Sequence, residues 1–196
     1  MKKYFNSPWL LLVVSFLLFP CLAQAHTGVN SIQGFSSGLI HPFGGLDHLC
    51  AMLAVGLWAA QLGGRAFWVV PVAFLSVMVL GGILGMMNVS LPLVEQGILA
   101  SVFIMGILLA AAVRLPLVIS VILVGAFALF HGHAHGAEMP ESSLGVLYGA
   151  GFIVATALLH AVGMSGGVAL QKTTRPVVLR WAGVFVIACG LYLTLA

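Results

Sequence analysis

Six apolar stretches follow one another along the chain, at roughly 42–62, 66–87, 93–113, 116–135, 144–169 and 177–195. Each is close to the ~20 residues a helix needs to cross the hydrocarbon core of a bilayer. The connections between them are short, which predicts antiparallel packing of neighbours and a single domain without a long linker. Composition points the same way: 62% of the residues are hydrophobic and 6% are charged, against about 25% charged in soluble domains. The expected fold is an all-α integral membrane protein, a six-transmembrane-helix bundle. Its formal charge of +3 is small and dispersed. No basic stripe with interleaved aromatics is present, which argues against nucleic acid as a partner.

Residues 1–25 read as a secretory signal peptide. Lys2 and Lys3 form the positive end, Trp9 to Phe19 the apolar stretch, and Ala23-Gln24-Ala25 the small-x-small cleavage site. Phe19-Pro20 before Cys21 are too bulky for lipoprotein processing. The alternative is an uncleaved first helix. Cleavage leaves His26 as the mature N-terminus outside the cytoplasm, and 26–196 as the transmembrane domain of a bacterial inner (cytoplasmic) membrane protein. The stretch 26–37 is polar enough to be a short external segment. With the N-terminus outside, Arg65, Arg114, Lys172, Arg175 and Arg180 all fall on the cytoplasmic side, as the positive-inside rule requires. Glu138 and Glu141 fall on the outer side. Three cysteines make no disulfide framework. Cys50 and Cys189 lie in apolar spans, where a thiol behaves as a small hydrophobe.

Against this background two polar clusters stand out, His41-Pro42-Phe43-Gly44-Gly45-Leu46-Asp47-His48 and Phe130-His131-Gly132-His133-Ala134-His135-Gly136-Ala137-Glu138. They hold five of the seven histidines and two of the four acids. An ionisable side chain inside a membrane is costly and marks an ion or substrate path by default. Imidazole and carboxylate without a thiolate cluster suit a borderline transition metal. The topology brings both clusters to the outer half of the membrane.

Within the first cluster, His41 and His48 share a helical face but stand about 10.5 Å apart along an ideal axis. Pro42 drives His41 out of the α region, and Gly44-Gly45 loosen the first turn. An irregular helix start can therefore draw His41 towards Asp47 and His48; the alternatives are successive sites along a path, or structural capping. In the second cluster His131, His135 and Glu138 follow i, i+4, i+7 spacing on one face. His133 points away from that face, as a ligand or a simple hydrogen-bonding group. His160, lone in the fifth span, is either a further station or an interhelical hydrogen bond. Glu95 heads the third span, as a site residue or a favourable helix N-terminal charge. His26, once freed by cleavage, pairs an α-amine with its own imidazole as a bidentate nitrogen chelate. The eight methionines are scattered and read as core filler. Gly81, Gly82, Gly85, Gly145, Gly149, Gly163, Gly166 and Gly167 read as close helix packing.

The run Gly34-Phe35…Gly38-Leu39…His41-Pro42…Gly45-Leu46-Asp47-His48-Leu49…Ala51-Met52 resembles the HupE/UreJ family of nickel permeases. Its first-helix motif is His, five residues, Asp-His. Its second motif, Phe-His-Gly-x-(Ala/Val)-His-Gly-x-Glu, is matched from Phe130 through Glu138, and His26-x-Gly28 after the signal also fits. The resemblance covers essentially the full mature chain. It implies secondary transport of nickel, or of cobalt in some relatives, delivered for maturation of hydrogenase or urease. It gives a metal-handling role to His41, Asp47, His48, His131, His135 and Glu138. On this reading the protein is no enzyme, carries no prosthetic group, and has Ni2+ or Co2+ as its transported substrate. A second class is an intramembrane zinc-dependent hydrolase, against which stands the lack of His-Glu-x-x-His. A third, a haem carrier, lacks any Cys-x-x-Cys-His attachment. No nucleotide-binding motif supplies ATP drive within the chain.

Overall fold

The computed structural model describes residues 31–139, 144–173 and 177–195. The signal-like segment, His26, Glu141 and Arg175 lie outside the described residues. Every described element is helical: α1 (Ser31–Ile40), a 3-10 turn (His41–Phe43), α2 (Leu46–Leu62), α3 (Ala66–Met86), α4 (Val94–Ala110), α5 (Leu117–Ala137), α6 (Gly145–Thr173) and α7 (Val177–Leu195).

Four of these, α3, α5, α6 and α7, are long and apolar enough to cross a membrane. A fifth span forms if Gly34–Phe43 and Leu46–Leu62 are taken together, with a bend of 81° between them. The third stretch of the sequence reading is shorter than expected, because left-handed backbone at Leu93 (φ 59°) and Ala112 (φ 53°) bounds it. The resulting helix α4 has 17 residues, about 25 Å at 1.5 Å per residue. The described residues thus hold four to five candidate spans where the sequence reading expects six. The expected external segment has structure of its own. From Ser31 onward it is helix, and α1 lies on α6. Gly38 rests on the Tyr148 carbonyl and Gly151 on the Phe35 carbonyl, so neither position has room for a Cβ. Small residues let two backbones meet there, as in other membrane helix pairs.

The same device joins α3 to α5. Gly132 meets the Met78 carbonyl, Gly136 the Gly82 carbonyl, Gly81 that of Leu129 and Gly85 that of His133. The core between the helices is apolar and fully enclosed, with Met52, Val55, Trp58, Phe74, Met105 and Leu109 among its largest members. At one end of the bundle, polar side chains tie helix ends together. Trp58 Nε1 donates to the Val113 carbonyl (3.1 Å), Gln171 Nε2 to Ala60 (2.9 Å) and Arg180 Nε to Ala110 (2.7 Å). Arg65, Arg114 and Lys172 belong to the same end, where α2, α4 and α6 finish. The histidine clusters lie at the other.

Candidate metal centre

The break between α1 and α2 builds the first half of the site. Pro42 has no N–H, and the chain turns through a 3-10 turn whose His41 carbonyl accepts the Gly44 N–H at 2.9 Å. Helix α2 then starts with its first-turn donors unpaired, as any helix does. Asp47 answers one of them: its Oδ1 accepts the His48 backbone N–H at 2.8 Å and the His48 Nδ1–H at 3.0 Å. A carboxylate in the first turn also suits the helix dipole. By taking the Nδ1 proton, Asp47 leaves the lone pair on His48 Nε2, which is buried and has no partner. A carboxylate behind an imidazole is the usual arrangement for orienting a ligating histidine.

Helix α5 supplies the second half. His131 and His135 are buried on its inner face, four residues apart. His131 Nε2 lies 2.8 Å from Ser101 Oγ on α4. That hydroxyl gives its one proton to the Ile98 carbonyl at 2.6 Å, so it accepts from His131. The free lone pair of His131 is therefore on Nδ1, again buried and unpartnered. His135 has no partner at either ring nitrogen. Its ring stands 3.9 Å from that of His48, 4.7 Å from His41 and 3.9 Å from Phe152 on α6, between centroids. The His48 and His131 rings are 4.6 Å apart.

At the rim, His41 Nε2 donates to Glu138 Oε2 at 3.0 Å. This bond holds the Glu138 carboxyl below the ordinary carboxylate range, so it is an anion at neutral pH. One donor atom each from His41, His135 and Glu138 lies within 4.8 Å of the others. Donors on opposite sides of a cation at about 2.1 Å would be about 4.2 Å apart, so a small inward movement closes this set. The chemistry on offer is neutral imidazole nitrogen with anionic oxygen, behind a second tier of two imidazoles.

Three of the residues expected from sequence lie outside this cluster. His133 turns away from the cluster and bonds the Val89 carbonyl at 2.7 Å, anchoring the connection after α3. Glu95 is exposed in the first turn of α4, outside the cluster. His160 is buried deeper, on α6, with its ring 5.1 Å from Phe74. His26 lies outside the described residues. Three contributors were not singled out by the sequence reading: Ser101, which sets the His131 tautomer; Phe152, which flanks His135; and Tyr148, whose ring is 5.7 Å from His41. The available signal was spacing, since Tyr148 and Phe152 stand one turn apart on α6. A largely apolar cavity of about 360 Å³ between α3, α5 and α6 has His135 and Phe152 in its wall.

The profile of the HupE / UreJ protein family matches residues 14–193. The chain belongs to the HupE/UreJ family. Protein HupE of Rhizobium leguminosarum bv. viciae is 48% identical over 148 residues, covering 76% of this chain and 77% of the relative. No solved structure matches the chain. This HupE/UreJ protein is a multi-pass membrane protein, with its apolar helices and its family in agreement.

Proposed function

We propose that this protein carries a divalent transition metal, nickel by preference and cobalt as the alternative, inward across the bacterial inner membrane. The observation that carries the reading is the convergence of His41, His135 and Glu138 donor atoms from two separate elements. Family membership supports metal transport in general. The unpartnered nitrogens of His48, His131 and His135 support it further. Leaving buried polar groups unsatisfied costs about 1–3 kcal/mol each, and a cargo cation removes that cost.

On this reading the bundle has six membrane crossings, α4 being a short one, and its basic end faces the cytoplasm. Residues 1–25 are a cleaved signal, and 26–196 are one transport domain. Aqua-metal arrives at the rim, where ionised Glu138 attracts it and His26 assists. It displaces the proton that His41 shares with Glu138, exchanges water for His135, and passes to His48 and His131. Asp47 and Ser101 keep those two imidazoles in ligand-ready tautomers. Affinity alone favours copper over nickel at nitrogen–oxygen sites, so selectivity comes from geometry and metal supply. The delivered ion serves hydrogenase or urease maturation.

The test is uptake of radiolabelled nickel and cobalt into proteoliposomes holding the purified chain. Wild type should accumulate metal, and His135→Ala should lower initial uptake at least about tenfold, the scale of ligand-sphere losses. Protons compete for imidazole, so wild-type uptake should fall as the external medium is made more acidic. Equal uptake by wild type and His135→Ala would contradict the assignment.

A further inference from the structure

Helix α6 carries a row of side chains that leads away from the centre just described. Tyr148, Phe152, Thr156 and His160 follow at four-residue steps, and all four are buried. Each step advances about 6 Å along the axis. The row begins beside the cluster, with Tyr148 near His41 and Phe152 against His135. It ends inside the bundle, where the ring of Phe74 lies 5.1 Å from His160 and 5.9 Å from His131. Three of its members have unused polar atoms, the Tyr148 hydroxyl beside the cluster and two side chains beyond it. Thr156 Oγ1 and both nitrogens of His160 are buried without a hydrogen-bond partner.

Neither vacancy is what a structural role would leave. A threonine in a helix ordinarily gives its hydroxyl to the carbonyl one turn back. An interhelical histidine in a membrane ordinarily bonds a neighbouring helix, yet His160 packs on an aromatic ring. Together they offer one imidazole nitrogen and one hydroxyl oxygen, one turn apart on one face. Both lone-pair donors are uncharged when the imidazole is neutral.

We propose that Thr156 and His160 form an inner station for the same divalent cation, completed by water. The proposal rests on the transport reading above and extends it to residues that reading does not use. His160 is not among the side chains whose donor atoms gather at the rim, and it meets the inner edge of the outer cluster through Phe74, whose ring lies 5.9 Å from that of His131. The difference in charge gives the pair a direction. Conduction needs a site strong enough to capture the ion and a following one weak enough to release it. The outer cluster has Glu138 and Asp47; the inner station has no carboxylate among its members.

The test uses the full chain and three variants, Thr156→Val, Thr156→Ser and His160→Gln. Nickel uptake by proteoliposomes is measured beside equilibrium nickel binding by the solubilised protein. Thr156→Val and His160→Gln should each slow uptake about tenfold or more while tight binding at the outer cluster stays within about twofold. Thr156→Ser, which retains the hydroxyl, should transport like wild type. Wild-type uptake by Thr156→Val and His160→Gln would overturn the station. So would loss of outer binding together with uptake, which assigns these residues to packing. A wild type that moves no metal defeats the transport reading itself. The station is then decided by cobalt titration of His135→Ala: a weak cobalt absorption band that disappears on adding His160→Gln supports it, and a band unaffected by that change overturns it.

Discussion

His135 is the residue on which the cluster turns, because its ring meets His41 from the 3-10 turn and His48 from α2. Its neighbours owe their readiness to hydrogen bonds that fix where each imidazole proton sits. Ser101 is the clearest case. Ser101→Ala removes the acceptor at His131 Nε2 and frees the ring to rotate or change tautomer. Nickel uptake should then need about tenfold more metal for half-maximal rate, within the range that second-tier partners of metal ligands control. His133→Gln should stay within about twofold of wild type, since His133 is engaged by Val89 away from the cluster. Concentration dependence of uptake in both variants checks this contrast. The histidines and acids of the site were legible in the sequence because such side chains are rare in apolar spans. Ser101, Phe152 and Tyr148 were not, because a serine or an aromatic in a membrane helix is ordinary. Only packing shows what they touch.

The decisive element is the broken entry to α2. Pro42 and Gly44-Gly45 marked an irregular start in the sequence, and the bend of 81° brings His41 back over His135. Less visible was α1, because its polar residues suggest a loop. Gly34 and Gly38, four apart, were the signal of helix packing there. Close packing also sets α5 against α3, and so aims His131 and His135. Gly132→Ala places a methyl on the Met78 carbonyl, backbone that cannot swing aside. Overpacking of this kind costs typically about 1–3 kcal/mol. The variant should unfold at lower temperature than wild type in detergent, read by scanning fluorimetry. An unchanged transition would mean that the two helices separate without loss.

Across the whole molecule, charge is sorted by end. Arg65, Arg114, Lys172 and Arg180 gather where α2, α4 and α6 finish, and the histidine cluster occupies the opposite end. That polarity was readable from loop charges alone, while the short length of α4 was not, because it is set by backbone conformation that hydropathy does not register. Cys50 and Cys189 are buried and Cys21 leaves with the proposed signal, so added cysteines report cleanly on sidedness. Leu144→Cys should react with an impermeant maleimide in intact cells, and Arg65→Cys only after the membrane is opened; the reverse pattern would invert the proposed direction of transport. The central claim, that one divalent cation is held between the start of α2 and the end of α5, is tested most directly by X-ray absorption of the nickel-loaded protein. The account predicts imidazole scattering from at least two histidines, reduced in His41→Ala and again in His135→Ala. A nickel shell of oxygen alone, or one unchanged in both variants, would contradict it.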